Sequence, residues 1–183
     1  VIMNTVYLAV ILLIETVVDF TRLHGVRLWM IGSIPIEGYG LISGLSVLLV
    51  LGVTGLSLCG RDLNLMSAGE DAARSLGVTV ERTRLVTVLL ASLITAAVVS
   101  VAGPIGFVGL IVPHAARLAF GPDHRLLVPA SALAGAIFLM AADTAARTVM
   151  APTELPVGVI TALCGGPFFL WLYRRQGGGG YFE

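Results

Sequence analysis

Six apolar stretches, separated by short polar breaks, set the rhythm of this chain. They cover residues 2–18, 41–59, 85–102, 105–120, 126–146 and 156–173. A hydrocarbon core about 30 Å thick takes about 20 helical residues. The pattern therefore predicts an all-α, polytopic transmembrane helix bundle of about six spans, the fourth of them short. An even number of spans puts both ends on one side. Residues 1–175 then form a single transmembrane domain, and 176–183, with four glycines in a row, read as a flexible tail.

One polar stretch interrupts the pattern, SAGEDAARSLG at residues 67–77. Ser67 and Glu70 have the S-x-x-E spacing of a capping box. Glu70 and Arg74 are spaced for a favourable pair on one helix face, and Gly77 suits a helix stop. These signals predict a helix over 68–76, about nine residues and near 14 Å long. A helix that short is marginal alone in water, so the apolar patch of Ala72, Ala73 and Leu76 calls for a partner.

Composition strengthens the membrane reading. Of 183 residues, 57% are hydrophobic and 12% charged, against about 25% charged in soluble domains. Mean hydropathy is +0.96. The formal net charge is zero and all 11 basic residues are arginine, so there is no basic footprint for nucleic acid. Arginines divide unevenly between the two sets of helix ends. One set carries Arg61, Arg74, Arg82, Arg84, Arg117, Arg125, Arg174 and Arg175; the other carries Arg22, Arg27 and Arg147. By the positive-inside rule the first set is cytoplasmic, and with it both termini and the 60–84 loop. The N-terminus has no basic n-region and no small-residue cleavage pattern, so no signal peptide is expected. The chain opens already inside an apolar run.

Candidate chemistry is sparse. Cys59 and Cys164 are far apart in apolar segments and read as buried small hydrophobes. His24, His114 and His124 fall at different levels, so neither a metal site nor any other catalytic residue is expected, and no cofactor. Ser43 in GLISG has only His114 as a conceivable base at matching depth, which makes an intramembrane hydrolase the weakest reading. No Walker motif is present, so the chain does not itself bind ATP.

The segment GPIGFVGLIVPH, residues 103–114, is more telling. Gly103, Pro104, Gly106 and Pro113 predict a helix break, since proline removes a hydrogen bond and clashes with the preceding turn. Broken helices at membrane depth survive where protein or a water cavity satisfies the backbone. This favours a transporter or channel over an anchor, with a plain structural kink as the alternative. Gly40 with Gly44, and Ser131 with Gly135, offer small-residue contacts between helices. Glu15 with Asp19, and Asp143 with Arg147, are charged pairs four residues apart near span ends. Such groups face a bundle interior or cavity, or simply pair along their own helix.

SAGEDAARSLGV, AGPIGFVGLIVPHAARLAFGPDHRLLVPASALAGA, ADTAAR and ELPVGVITALCGGPFFLWLYRR, in this order and spacing, resemble the FecCD-type permeases of binding-protein-dependent ABC importers. The resemblance runs from residue 29 to 175. It implies the C-terminal part of a ten-helix permease that lines a translocation path with a second permease subunit, as homo- or heterodimer. It implies a bacterial cytoplasmic membrane location. ATP hydrolysis would fall to a separate ATP-binding subunit, and an extracytoplasmic substrate-binding protein would deliver the cargo: ferric siderophore first, with vitamin B12 or haem as alternatives. The chain offers no ligand set for bare iron, in keeping with a chelated cargo. The resemblance also assigns roles. The helix carrying Ser67, Glu70, Ala73, Arg74, Leu76 and Gly77 would dock on the ATPase. Asp123, His124 and Arg125 would form a second cytoplasmic loop. Arg147 would meet an acidic side chain of the binding protein. A different class, an ion-coupled carrier or channel, would need a mid-membrane carboxylate, and its one candidate, Asp143, lies near a span end.

Overall fold

The computed structural model describes residues 2–17, 20–35, 38–150 and 155–176. Among the described residues nine helices follow one another: α1 (Ile2–Val17), α2 (Phe20–Ile31), α3 (Tyr39–Leu58), α4 (Gly60–Ser67), α5 (Glu70–Ser75), α6 (Val80–Ala102), α7 (Val108–Phe120), α8 (His124–Thr148) and α9 (Val157–Gln176). The bundle is built round α8, against which α3, α4, α7 and α9 all pack, while α3 also lies along α6.

Small residues set how closely α3 and α6 approach. A Cβ on Gly52 would lie 2.5 Å from the Ile94 side chain, and one on Gly55 would lie 3.0 Å from Leu90. The pair that carries the contact is thus Gly52 and Gly55. Gly40 and Gly44, the expected pair, have nothing within 4 Å of the Cβ position. In the α7–α8 seam, a Cβ on Gly135 would lie 3.9 Å from the Val112 side chain, at ordinary contact distance.

The apolar faces point outward. Leu89, Leu93, Leu133, Ile137 and Leu163 are each more than half exposed, as lipid-facing side chains are. Among the described residues, three helices are long and apolar enough to cross a membrane: Tyr39–Leu58, Val80–Ala102 and His124–Thr148. The expected spans at 2–18 and 156–173 are present as helices. Helix α1 has 16 residues and α9 has 20.

The expected 105–120 span is shorter than its apolar run, because α7 starts only at Val108 and has 13 residues. That is about 20 Å of helix, against a core of about 30 Å. The 103–107 segment supplies the difference without being helical. Gly103 lies against the Trp29 carbonyl, Gly158 lies against the neighbouring Ile31 carbonyl, and Phe107 packs on Gly165, farther along α9. From Gly158 to Gly165 α9 advances about 10 Å, so five non-helical residues descend that far before α7 begins. The traverse is composite: a non-helical stretch, then a short helix.

Gly103 caps α6 with φ 69°, and Phe107 takes the left-handed conformation at φ 66° to start α7. The break expected at Gly103, Pro104 and Gly106 is therefore present, whereas Pro113 breaks nothing. It lies inside a continuous α7.

Three smaller expectations also change. Gln176 closes α9 instead of opening a tail, and 177–183 lie outside the described residues. Cys59 is half-buried and Cys164 exposed; Cys164 shares an outward stretch of α9 with Ala162 and Leu163. The Glu15–Asp19 pair falls outside the described side chains.

Candidate functional site

Among the described residues, the arginine-rich end of the bundle holds a dense set of polar contacts. It consists of α4, α5, the first turns of α6 and the start of α8. Helix α4 leaves α3 through Gly60, whose Cβ position is only 2.9 Å from the backbone nitrogen of Arg125. A side chain there would push α8 away.

One turn on, the Nδ2 of Asn64 donates to Asp123 Oδ1 at 2.6 Å. Its Oδ1 accepts the backbone N–H of His124 at 2.8 Å and faces His124 Nδ1 at 2.7 Å. Asp123 is the N-cap of α8 and accepts the Arg125 backbone N–H at 2.9 Å, satisfying one of the orphan donors at a helix start. Hydrogen bonds from Asn64 and from the Arg125 backbone hold the Asp123 carboxyl below its ordinary value of 3.8. Asp123, His124 and Arg125 thus form a joint with α4, through a residue, Asn64, that sequence reasoning did not single out.

The expected docking helix is present in altered form. Helix α5 covers Glu70–Ser75, six residues, not 68–76. Ser67 is the last residue of α4 and its Oγ donates to the Asn64 carbonyl at 2.7 Å. The capping box does not form. Gly69 occupies the N-cap instead, at φ 128°, with no side-chain bond. The reason is competition: Ser67 falls in the last turn of a preceding helix, and a hydroxyl there bonds back to its own carbonyls.

Gly77 does stop the helix. At φ 83° it lets its own N–H reach the Arg74 carbonyl and the Val78 N–H reach the Ala73 carbonyl, each at 3.0 Å. That is a Schellman motif, with the accompanying apolar contact between Val78 and Ala73.

The apolar patch is divided. Ala73 is fully buried with Val78 and Val80, and Leu65 and Met66 of α4 pack on this cluster. Ala73 is therefore structural and unavailable to a partner. Leu76, 64% exposed, and Ala72 remain on the surface.

The charges also pair differently. The expected Glu70–Arg74 bridge is stretched to 3.9 Å. Arg74 instead bonds Glu81 at 2.6 Å, and Glu70 bonds Arg84. Both stronger pairs run from α5 to α6, fastening the short helix to a membrane-length one. Thr83 adds a bond to Asp62 of α4 at 3.4 Å.

At the opposite end Arg147 is engaged. Its Nε donates to Asp143 at 2.8 Å and its Nη2 to the Ile34 carbonyl at 3.1 Å. The same loop is held by backbone contacts: Ser33 N–H to the Ala102 carbonyl at 2.9 Å and Gly158 N–H to the Gly32 carbonyl at 3.1 Å. Here α2, α6 and α9 meet. Ser43 and His114 are not brought together. Ser43 Oγ bonds the Gly40 carbonyl at 2.9 Å, while the His114 ring sits edge-on to Phe168.

Comparison with known proteins gives a consistent result. The model of the FecCD transport family matches residues 1–175. The chain is 50% identical over 148 residues to the cobalamin import system permease protein BtuC of Halobacterium salinarum, covering 81% of this chain and 40% of that protein. It is 45% identical to the hemin transport system permease protein HmuU of Yersinia pestis, covering 86% of this chain and 47% of the relative. It is 44% identical to the Fe(3+) dicitrate transport system permease protein FecD of Escherichia coli, covering 81% and 47%. The chain thus spans less than half the length of these relatives. A solved structure of an ABC transporter assigned to the metal-chelate type, in an inward-facing conformation, superposes with a TM-score of 0.81 at 30% identity, over 95% of this chain and 56% of that one.

Proposed function

The chain belongs to the FecCD transport family, and from that premise we propose that it serves as a permease subunit of a binding-protein-dependent ABC importer. The observation that carries the reading is the family match along 175 residues. The role is passage rather than catalysis: a second permease subunit completes the path, and a separate ATP-binding subunit supplies the work. The arginine-rich end faces the cytoplasm, with both termini on that side, and an extracytoplasmic binding protein delivers cargo at the other.

Within this reading, α5 is the element that docks in the ATPase. Leu76 and Ala72 are its exposed apolar contact, and the Arg74–Glu81 and Arg84–Glu70 bonds fasten it to α6. Asp123, His124 and Arg125 border the same surface. Arg147, the residue expected to meet an acid of the binding protein, lies at the opposite end, bonded to Asp143 and to the Ile34 carbonyl.

The cargo is a chelated metal, with ferric siderophore as the main candidate. The 50% identity to a cobalamin permease supports cobalamin as the second reading. Uptake of labelled ferric siderophore, hemin and cobalamin, by the full-length protein with its ATPase and binding protein, separates them. Siderophore uptake dependent on ATP is the expected result. Uptake that persists without the ATPase and follows an ion gradient would contradict the importer reading.

A further inference from the structure

The two ends of α8 are fastened in different ways to two different surfaces. At the arginine-rich end Asn64 of α4 holds both the N-cap Asp123 and the first backbone N–H of the helix. Gly60 lets α4 approach the Arg125 backbone directly. At the other end Arg147, steadied by Asp143, holds the carbonyl of Ile34, and the Leu155 N–H reaches back to the Ala146 carbonyl at 3.2 Å. Between them runs one helix of 25 residues, roughly 37 Å long. Its one interior proline, Pro129, lies near the arginine-rich end and leaves the rest of the helix uninterrupted.

From these contacts we infer that α8 is a strut between the ATPase-docking surface and the loop at 32–35, and that Asn64 and Arg147 are the positioning residues that fasten its ends. The inference rests on the permease reading above. Helix α5 shares the Ala73, Val78 and Val80 cluster with Leu65 and Met66 of α4, so a displacement of α5 carries α4 with it. Asn64 passes that displacement to α8, and Arg147 passes it to the Ile34 carbonyl. The loop in turn is bonded to α6 and α9 through Ser33 and Gly32, so both helices register the shift. A packed helix transmits such a shift because its contacts are close and do not deform continuously.

The test uses the full transporter, permease with ATPase and binding protein, in proteoliposomes. Three quantities are read: recovery of the ATPase with the permease, basal ATP hydrolysis, and hydrolysis at saturating loaded binding protein. Asn64→Ala unfastens one end, and Asp143→Asn loosens Arg147 at the other without touching the arginine. Each is expected to lower the stimulated-to-basal ratio about fivefold or more, with basal hydrolysis and ATPase recovery kept. Asp143→Glu, which retains the carboxylate, should restore most of the ratio. Because both act through one helix, the double variant should match the worse single within about twofold.

An undiminished ratio in either single variant, or effects that multiply in the double, would overturn the strut. If Asn64→Ala does not accumulate, Asn64→Ser, which keeps a hydroxyl at the joint, replaces it under the same criteria. Failure of the ATPase to accompany the unsubstituted protein would instead overturn the permease reading itself.

Discussion

The joint at the arginine-rich end and the joint at the opposite end do the same mechanical work with different materials. The first is made largely of side chains, Asn64 on Asp123 and His124, Arg74 on Glu81, Arg84 on Glu70, beside the close approach of Gly60 to the Arg125 backbone. The second is made largely of backbone brought close by glycine. A Cβ on Gly103 would lie 1.9 Å from the Trp29 carbonyl oxygen, and one on Gly158 would lie 1.9 Å from that of Ile31. Side-chain joints near water give a little at a time, since each exposed bond is individually modest. A backbone joint has no such freedom, because a carbonyl cannot swing aside without moving its helix. The side-chain joint is therefore the adjustable one and the glycine joint the fixed one, a sensible division if force enters at the arginine-rich end.

The sharpest way to break this comparison is to fill the fixed joint. Gly103→Ala and Gly158→Ala should each reach or exceed the upper end of the about 1–3 kcal/mol that overpacking costs. Gly103→Ala adds the strain of φ 69°. Loss of folded protein after mild detergent extraction, followed by size-exclusion chromatography, is the expected readout. Wild-type recovery of either variant would show that the end is looser than the contacts imply.

Next in size is a proline in α5. The first helical bond of α5 runs from the Ala73 N–H to the Gly69 carbonyl. Ala73→Pro removes it and disturbs a fully buried position, at about 3 kcal/mol for an interior proline. Membrane insertion should survive while ATP-driven uptake fails. Ala72→Pro, one residue earlier in the first turn, should be much milder. Equal effects would mean that α5 does not have these bounds.

A smaller effect belongs to the charge pairs. Arg84→Gln or Glu81→Gln removes an exposed pair of small individual effect, and added salt should shrink the difference from wild type in thermal melting.

Acid probes the same joint through Asp123. Its carboxyl titrates below the ordinary value in the folded protein, so its contribution is present above 3.8 and lost as pH falls through the lower folded value. Melting temperature followed downward through that window should show a step in the wild type that Asp123→Asn lacks. Identical profiles would place the acid sensitivity elsewhere.

Much of the bundle was legible in the sequence because apolar runs report directly on what faces lipid. The same runs misstate α7, since composition does not distinguish helix from an irregular apolar stretch; only the positions of Gly103, Pro104 and Gly106 hinted at it. The stop at Gly77 was readable because a Schellman motif is local. The start at Ser67 was misread because a preceding helix, α4, claims that serine. Asn64 was invisible because its partners, Asp123 and His124, lie 59 and 60 residues away. The bonds from α5 to α6 were not legible for a related reason: Glu70 and Arg74 keep a long contact along their own helix, and their shorter partners, Arg84 and Glu81, lie on α6.

The central claim is that the exposed face of α5 meets the ATPase. Leu76→Cys, in the full-length permease with Cys59 and Cys164 replaced, tests it in the assembled transporter with a short thiol cross-linker and single cysteines in the ATPase. The account predicts a cross-link to the ATPase, and no modification by a membrane-impermeant thiol reagent added from outside. Labelling of the cysteine from outside, with no cross-link to the ATPase, would contradict both the orientation and the docking role of α5.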